Sequence, residues 1–328
     1  MTTEQNCKSA LEILRENYGS SVKLPSSINF SINESTCKIV LDAEKISKTN
    51  MQADCNAFEG WSIAMYIAMK KQGIASPCVE LEISGDFDNK KGHKERFLYR
   101  ALRFSEQYST WFTLSDRLKN ETAAFAGFMQ KNVLTNNIGY GDAGEKIVHN
   151  LENVIEKLLS ENGNLSRVIG SGIVGSNKVY RQLPVGLFIN EVSRNNAVFT
   201  GRHSAIDLWT WNGSVFDVVE LKAHNAKIGL ATEIFFYSNY MRDLLTDGGA
   251  FSINKAVKNE NTRGYTELIR LHDDKAIDSI CGIMLADVFH PIINEDFLNT
   301  LNANNVNIHY QKAMYNFSID MSSVSTAP

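Results

Sequence analysis

Apolar residues recur every three or four positions in several stretches of the chain, which is the spacing of one face of an α-helix. Polar and turn-forming residues bound most of these stretches. The pattern predicts helices over 3–17, Ala53–Lys71, Asp142–Glu161, Leu230–Leu245 and Glu295–Leu301, and helical or mixed structure over Phe112–Met129.

Runs of branched and aromatic residues lie between the helical stretches and are typical of β-strands. The two runs that flank Asn212-Gly213 form the clearest pair, because Asn-Gly between strand-like segments favours a tight hairpin. The predicted strands are Ile28–Ile32, Cys37–Asp42, Val79–Ile83, Phe97–Phe104, Val179–Ile189, Ala205–Trp211, Val215–Ala223, Ile280–Ala286 and Val306–Gln311.

Turn-forming residues between Thr135 and Asp142 mark a predicted domain boundary. Residues 1–132 mix helices and strands, which predicts an α+β domain whose role, recognition or regulation, stays open. Residues 133–328 run in the order helix, three strands, helix, strand, helix, strand. That order predicts an α/β domain with helices on both faces of a mixed sheet.

Three ionisable residues interrupt the apolar hairpin: Asp207 in its first strand, and Glu220 and Lys222 in its second. Alternate side chains of a strand share a face, so Glu220 and Lys222 point the same way, and Asp207 can face the same side. Burying these groups without partners is costly. One explanation for their presence in apolar strands is a cross-strand ion pair with a purely structural role.

A divalent cation is the alternative explanation. Asp207 and Glu220 would supply hard oxygen ligands, together with the backbone carbonyl of Leu221 between the two side chains of the second strand. Mg²⁺ favours such sites and completes its shell with water and phosphate oxygens. Lys222 could then orient the attacking water or stabilise charge on phosphorus. This is the chemistry of phosphodiester hydrolysis.

Asp207 followed by Glu220-Leu221-Lys222 on the next strand resembles the signature of the PD-(D/E)xK nuclease superfamily, which has the restriction-endonuclease-like fold. The order of predicted elements and the strand-like segment at 180–188 are similar to that family over about residues 140–315. One departure is Ile206, where the family often has proline. The resemblance implies a nuclease dependent on Mg²⁺ or Mn²⁺, with a role in restriction, phage defence or repair.

The resemblance also suggests further site residues. The family often carries a glutamate on the helix before the meander, which matches Glu145, although Glu145 also has the spacing of a helix capping box with Asp142. On the later helix, Glu233 or Tyr237 would serve, although an exposed helix face explains them equally well. Two residues just before the aspartate strand, Arg202 and His203, are candidates for contacting a phosphate.

Charge changes the expected strength of nucleic-acid binding. The 328 residues carry a formal net charge of -4, divided into about +1 for residues 1–132 and -5 for residues 133–328. A nucleic-acid-binding domain normally has a basic face. We therefore expect weak, salt-sensitive nucleic-acid binding unless a homodimer or a partner adds positive charge. Within the nuclease hypothesis, the expected substrate is DNA more than RNA.

The five cysteines are widely spaced and form no Cys-x-x-Cys pair, which predicts reduced thiols in a cytoplasmic protein. No apolar run reaches the roughly 20 residues of a membrane span, so no membrane association is expected. Two alternatives to the nuclease hypothesis stay open. The domain could be a catalytically inactive nuclease fold that binds protein or nucleic acid, or the true site could lie within residues 1–132.

Overall fold

The computed structural model describes residues 8–88, 92–130, 133–135, 150–170, 178–193, 195–255 and 262–316, with only the backbone described for 133–135, 200–203 and 262. These residues form a mixed α/β fold with two mixed sheets flanked by helices. The predicted α/β class is therefore confirmed at this level.

The first sheet has four strands in chain order, with the first pair antiparallel and the others parallel. Its strands are β1 (Ile28–Asn33), β2 (Thr36–Asp42), β3 (Cys78–Ser84) and β4 (Phe112–Leu114). The accompanying helices are α1 (Ala10–Tyr18), α2 (Ala43–Lys48), α3 (Phe58–Lys71), α4 (His93–Gln107) and α5 (Asp116–Met129). Buried and half-buried residues alternate along β2 and β3, as expected for strands with one face against a core.

The second sheet has six strands, also adjacent in chain order. They are β5 (Val133–Thr135), β6 (Tyr180–Ile189), β7 (Ala197–Asn212), β8 (Val215–Lys222), β9 (Ser279–Ala286) and β10 (Ile308–Met314). Pairing is antiparallel from β5 to β8 and parallel from β8 to β10. The helices of this part are α6 (Leu151–Leu159), α7 (Asn164–Ile169), α8 (Gly229–Leu245), α9 (Tyr265–Asp273) and α10 (Glu295–Asn302).

Helix α8 lies at the centre of the molecule, packed against β8 and β9 on one side and against α3 and α4 on the other. All but one of its 17 residues are buried. The apolar core is continuous from α1 to β10 and therefore crosses the predicted boundary near residue 133. A smaller core on the opposite face of the second sheet lies under α6 and α7.

A buried ion pair joins α3 to α4 and contacts α8. Arg100 donates to both carboxylate oxygens of Glu59, at 2.7 Å and 2.9 Å, and the hydroxyl of Thr232 on α8 donates to the same carboxylate at 2.9 Å. Arg100 also donates to the backbone oxygen of Asn56 at 2.6 Å. A bidentate geometry with extra hydrogen bonds is what offsets the desolvation of such a pair.

Most predicted elements are confirmed, including the hairpin across Asn212-Gly213, but one strand prediction is wrong. Phe97–Phe104 lies inside helix α4. Its buried residues Phe97, Ala101 and Phe104 follow the spacing of a helix face, while the aromatic residues at alternate positions, Phe97 and Tyr99, imitate a strand. Of the predicted helix Asp142–Glu161, the part before residue 150 lies outside the described residues.

Candidate active site

The pairing of β7 with β8 ends just before the ionisable residues. The last registered pair on that side is Leu208 with Val219, so Asp207 lies opposite Glu220 where the strands separate. The backbone amide of Leu221 donates instead to the Asp207 carboxylate, at 2.9 Å. The side chain of Asp207 thus takes the place of a backbone acceptor and is fixed in orientation.

Strand β6, on the other side of β7, places a third polar residue beside Asp207 and Glu220. Arg181 pairs with Leu208 and Leu183 pairs with Ile206, which places Gln182 opposite Asp207. Gln182 has a φ of 53°, in the left-handed region that non-glycine residues rarely occupy. Strained backbone of this kind tends to be retained at functional sites.

The structure brings the three residues of the predicted motif together at one cavity of about 420 Å³. Asp207, Glu220 and Lys222 all line it, so the two carboxylates face the same side of the hairpin. Helix α8 contributes Glu233 and, one turn later, Tyr237. The structure therefore also places the tentative candidate Glu233 at the site, on a buried rather than an exposed helix face.

Lys222 links the two glutamates. Its ammonium nitrogen lies 2.7 Å from Glu220 Oε1 and 3.0 Å from Glu233 Oε2, and it also donates to the Leu221 carbonyl at 3.2 Å. Glu220 is only 3% exposed and Lys222 only 7%. The lysine therefore holds the carboxylates of β8 and α8 close together at the base of the cavity.

The sequence analysis missed several polar residues at the site, among them Gln182, Glu156 and Glu152. Gln182 donates to both oxygens of Glu156, each at 2.9 Å, and to Asp207 Oδ1 at 3.3 Å. Glu152, one turn before Glu156 on α6, lines the cavity and accepts from the backbone amide of Ala223 at 3.2 Å. The two glutamates could have been recognised as acids four residues apart on a predicted helix with an apolar face. Nothing in the sequence identifies Gln182 as a site residue.

Desolvation dominates the electrostatics of the carboxylates. It raises the pKa of Asp207 to about 7, with Glu156 and Glu233 adding to the effect and Lys222 opposing it. The pKa of Glu220 lies well above its ordinary value because of burial and the nearby Asp207 and Glu233. Burial alone would lower the pKa of Lys222, but the surrounding carboxylates outweigh it and raise that pKa, so Lys222 is charged.

The donor set fits a hard divalent cation in part. Glu220 Oε2 is buried and makes no hydrogen bond with the described residues, whereas Glu220 Oε1 pairs with Lys222; burial and the nearby Asp207 and Glu233 raise the pKa of this carboxyl. Asp207, Glu220 and the Leu221 carbonyl provide oxygen ligands, and Mg²⁺ commonly needs no more from a protein. Within the described ranges, however, no cluster of three or more Asp, Glu, His or Cys side chains is arranged to hold a metal.

The remaining predicted site residues lie outside the described part of the structure: Glu145 falls within 136–149, and the side chains of Arg202 and His203 are not described. None of the described helices is both long and apolar enough to span a bilayer. Comparison of the chain with protein-family models, curated protein sequences and solved structures finds no match.

Proposed function

We propose that the protein is a metal-dependent nuclease that hydrolyses phosphodiester bonds, in DNA more readily than in RNA. The observation that carries the proposal is the convergence of Asp207, Glu220 and Lys222 on one cavity, with a buried oxygen of Glu220 left without a hydrogen-bond partner among the described residues. Clustered carboxylates in a cleft, with shifted pKa values, are typical of functional sites.

Asp207, Glu220 and the backbone carbonyl of Leu221 would hold Mg²⁺ or Mn²⁺. The ion, when bound, polarises a phosphoryl oxygen and lowers the pKa of a coordinated water. Asp207 is held in place by the Leu221 amide and by Gln182. Its orientation is therefore set before any ligand arrives, which lowers the cost of assembling the site.

Lys222 has the second role in this proposal. Its charge is maintained by Glu220 and Glu233, and its ammonium group can donate to the attacking water or to a phosphate oxygen. Glu233 acts as a positioning residue, because it fixes the lysine from helix α8. Four acidic and two basic residues line the cavity, so an anionic substrate binds well only after a cation has offset the negative charge.

The cellular role that we propose, in restriction, phage defence or repair, rests on the family resemblance alone. The proposed cytoplasmic location rests on the widely spaced cysteines. A homodimer would place two sites if the enzyme cuts both strands. The competing function is a catalytically inactive binding module. The closed ion pairs of Lys222 with Glu220 and Glu233 favour that alternative, since they satisfy these charges in part without a metal.

The test is cleavage of supercoiled plasmid and of labelled DNA and RNA oligonucleotides with Mg²⁺ or Mn²⁺, with and without EDTA. We expect Glu220→Gln and Lys222→Ala each to reduce the rate at least 100-fold. Asp217→Asn is the matched control, because Asp217 is a buried carboxylate of the same strand that points to the opposite face. Cleavage that survives the first two substitutions would exclude this cavity as the catalytic site. Loss of cleavage in the control alone would place the catalytic site on another part of the protein.

A further inference from the structure

The first 130 residues supply one wall of the cavity. Asn50 and Gln52, in the connection between α2 and α3, line it together with the carboxylates of the second sheet. Neither carboxamide makes a hydrogen bond with another described residue. Both are therefore available to a ligand, and each carries two donors and an acceptor.

This wall is fixed in place. The side chain of Met51, between the two carboxamides, is 1% exposed and belongs to the main core. The backbone of Gln52 packs against Gly229 at the start of α8 so closely that a Cβ at Gly229 would lie 2.0 Å from the Gln52 carbonyl oxygen. Such contacts leave the wall no room to move toward α8, and the buried methionine anchors it to the core.

Most of the reacting groups that share the cavity with this wall are buried, and Asp207 is half-buried. Glu220, Lys222 and Glu233 are 3%, 7% and 5% exposed, respectively. The cavity of about 420 Å³ has the size of a small-molecule pocket, which is typically about 300–1,000 Å³. The backbone of an intact duplex is held on a wide, stiff cylinder, whereas an unpaired strand can bend and present one phosphate and its neighbouring base separately.

We propose that the substrate is an unpaired nucleic-acid strand, whose scissile phosphate enters the cavity while an adjoining nucleotide contacts Asn50 and Gln52. This inference rests on the proposed function and adds its substrate class. Carboxamides are well suited to the contact because their donors and acceptors match the exposed edges of unpaired bases. The first half of the chain is then part of the substrate site.

The experiment compares a fluorescent 12-nucleotide single strand with the same sequence in a blunt duplex, using the full-length protein. Binding is measured by anisotropy with Ca²⁺, which takes the same kind of oxygen ligands as Mg²⁺, and a gel confirms that the oligonucleotides remain intact. Cleavage is measured with Mg²⁺. We expect the single strand to bind at least tenfold more tightly and to be cut at least tenfold faster.

The double variant Asn50→Ala/Gln52→Ala should weaken single-strand binding at least fivefold and change duplex binding less than twofold. Gln72→Ala, a surface carboxamide of the same half that does not line the cavity, is the control and should change neither. A single-strand to duplex binding ratio near one overturns the inference, as does an unchanged ratio in the double variant. Tighter binding of the single strand without any cleavage would contradict only the proposed hydrolysis. Failure of the substrate inference and failure of the proposed function are therefore distinguishable.

Discussion

The carboxylate of Asp207 accepts a hydrogen bond of 2.9 Å from the backbone amide of Leu221, the residue between Glu220 and Lys222. One motif residue is thus bound to the backbone of the strand that carries the other two. The contact lies where the β7–β8 ladder ends, so the side chain contributes to strand pairing as well as to the site.

This contact leads us to expect different effects from two substitutions of Asp207. In Asp207→Asn the side-chain oxygen still accepts from the Leu221 amide, the weaker acceptor contact with Gln182 at 3.3 Å is lost and the costly charge is removed, so the melting temperature should stay close to that of the wild type. In Asp207→Ala the backbone amide of Leu221 loses its acceptor, and the protein should lose about 1–3 kcal/mol of stability. Thermal unfolding with EDTA tests the pair; equal stability of the two variants would contradict the structural role of the contact.

Glu220 should show a trade between stability and ligand binding. Burial and neighbouring carboxylates oppose its charge, so Glu220→Gln should unfold at a higher temperature than the wild type in EDTA. A saturating divalent ion stabilises a folded protein by about 2.7 kcal/mol at 100 times its Kd. We expect Mn²⁺ to give such a stabilisation in the wild type and not in Glu220→Gln. Equal stabilisation of both proteins by Mn²⁺ would place its site elsewhere.

Asp217 gives a prediction about pH. Burial raises its pKa from 3.8 to about 7, and neither carboxylate oxygen has a partner among the residues that the structure describes. Between these two values the folded protein holds a proton that the unfolded chain has lost, so the contribution of Asp217 to stability falls as pH rises through that window. Above pH 7 its contribution is constant.

Asp217→Asn removes this dependence. Relative to the wild type, the variant should gain stability by roughly 1.4 kcal/mol per pH unit between about pH 4 and pH 7, and then level off. Urea unfolding at several pH values measures the difference, in which the other titrating groups cancel. A difference that does not change with pH would show that Asp217 titrates normally.

The buried pair of Glu59 and Arg100 should show strong coupling. Removing one partner leaves a buried charge alone, so Glu59→Gln and Arg100→Met should each cost about 3–5 kcal/mol. The double variant should cost clearly less than the sum, because neither charge is then stranded. Chemical denaturation of the four proteins gives the coupling energy. Additive costs would mean that the pair contributes nothing beyond its separate side chains.

The sequence was most informative where structure is decided locally. The Asn212-Gly213 hairpin follows from a turn preference and from the strand-like residues on either side. The alternation of side chains along a strand is enough to place Glu220 and Lys222 on one face. The nuclease assignment itself stays a prediction, because no comparison or ligand tests it.

The sequence was least informative where distant segments meet. Asn50 and Gln52 reach the cavity only because their loop packs on the first turn of α8, which no local pattern encodes. Gln182 joins the site through an unusual backbone angle. Phe97–Phe104 was misread because large aromatic side chains satisfy both a strand and a helix pattern, and only packing against both sheets decides between them.

The position of α8 has a practical consequence for dissecting the protein. A fragment that begins near residue 133 would expose the side of α8 that packs on α3 and α4, including Phe235 and Phe236. Aromatic surface of that extent drives aggregation. We expect the fragment to be insoluble when expressed alone and to be recovered in solution when residues 1–132 are produced beside it as a separate chain.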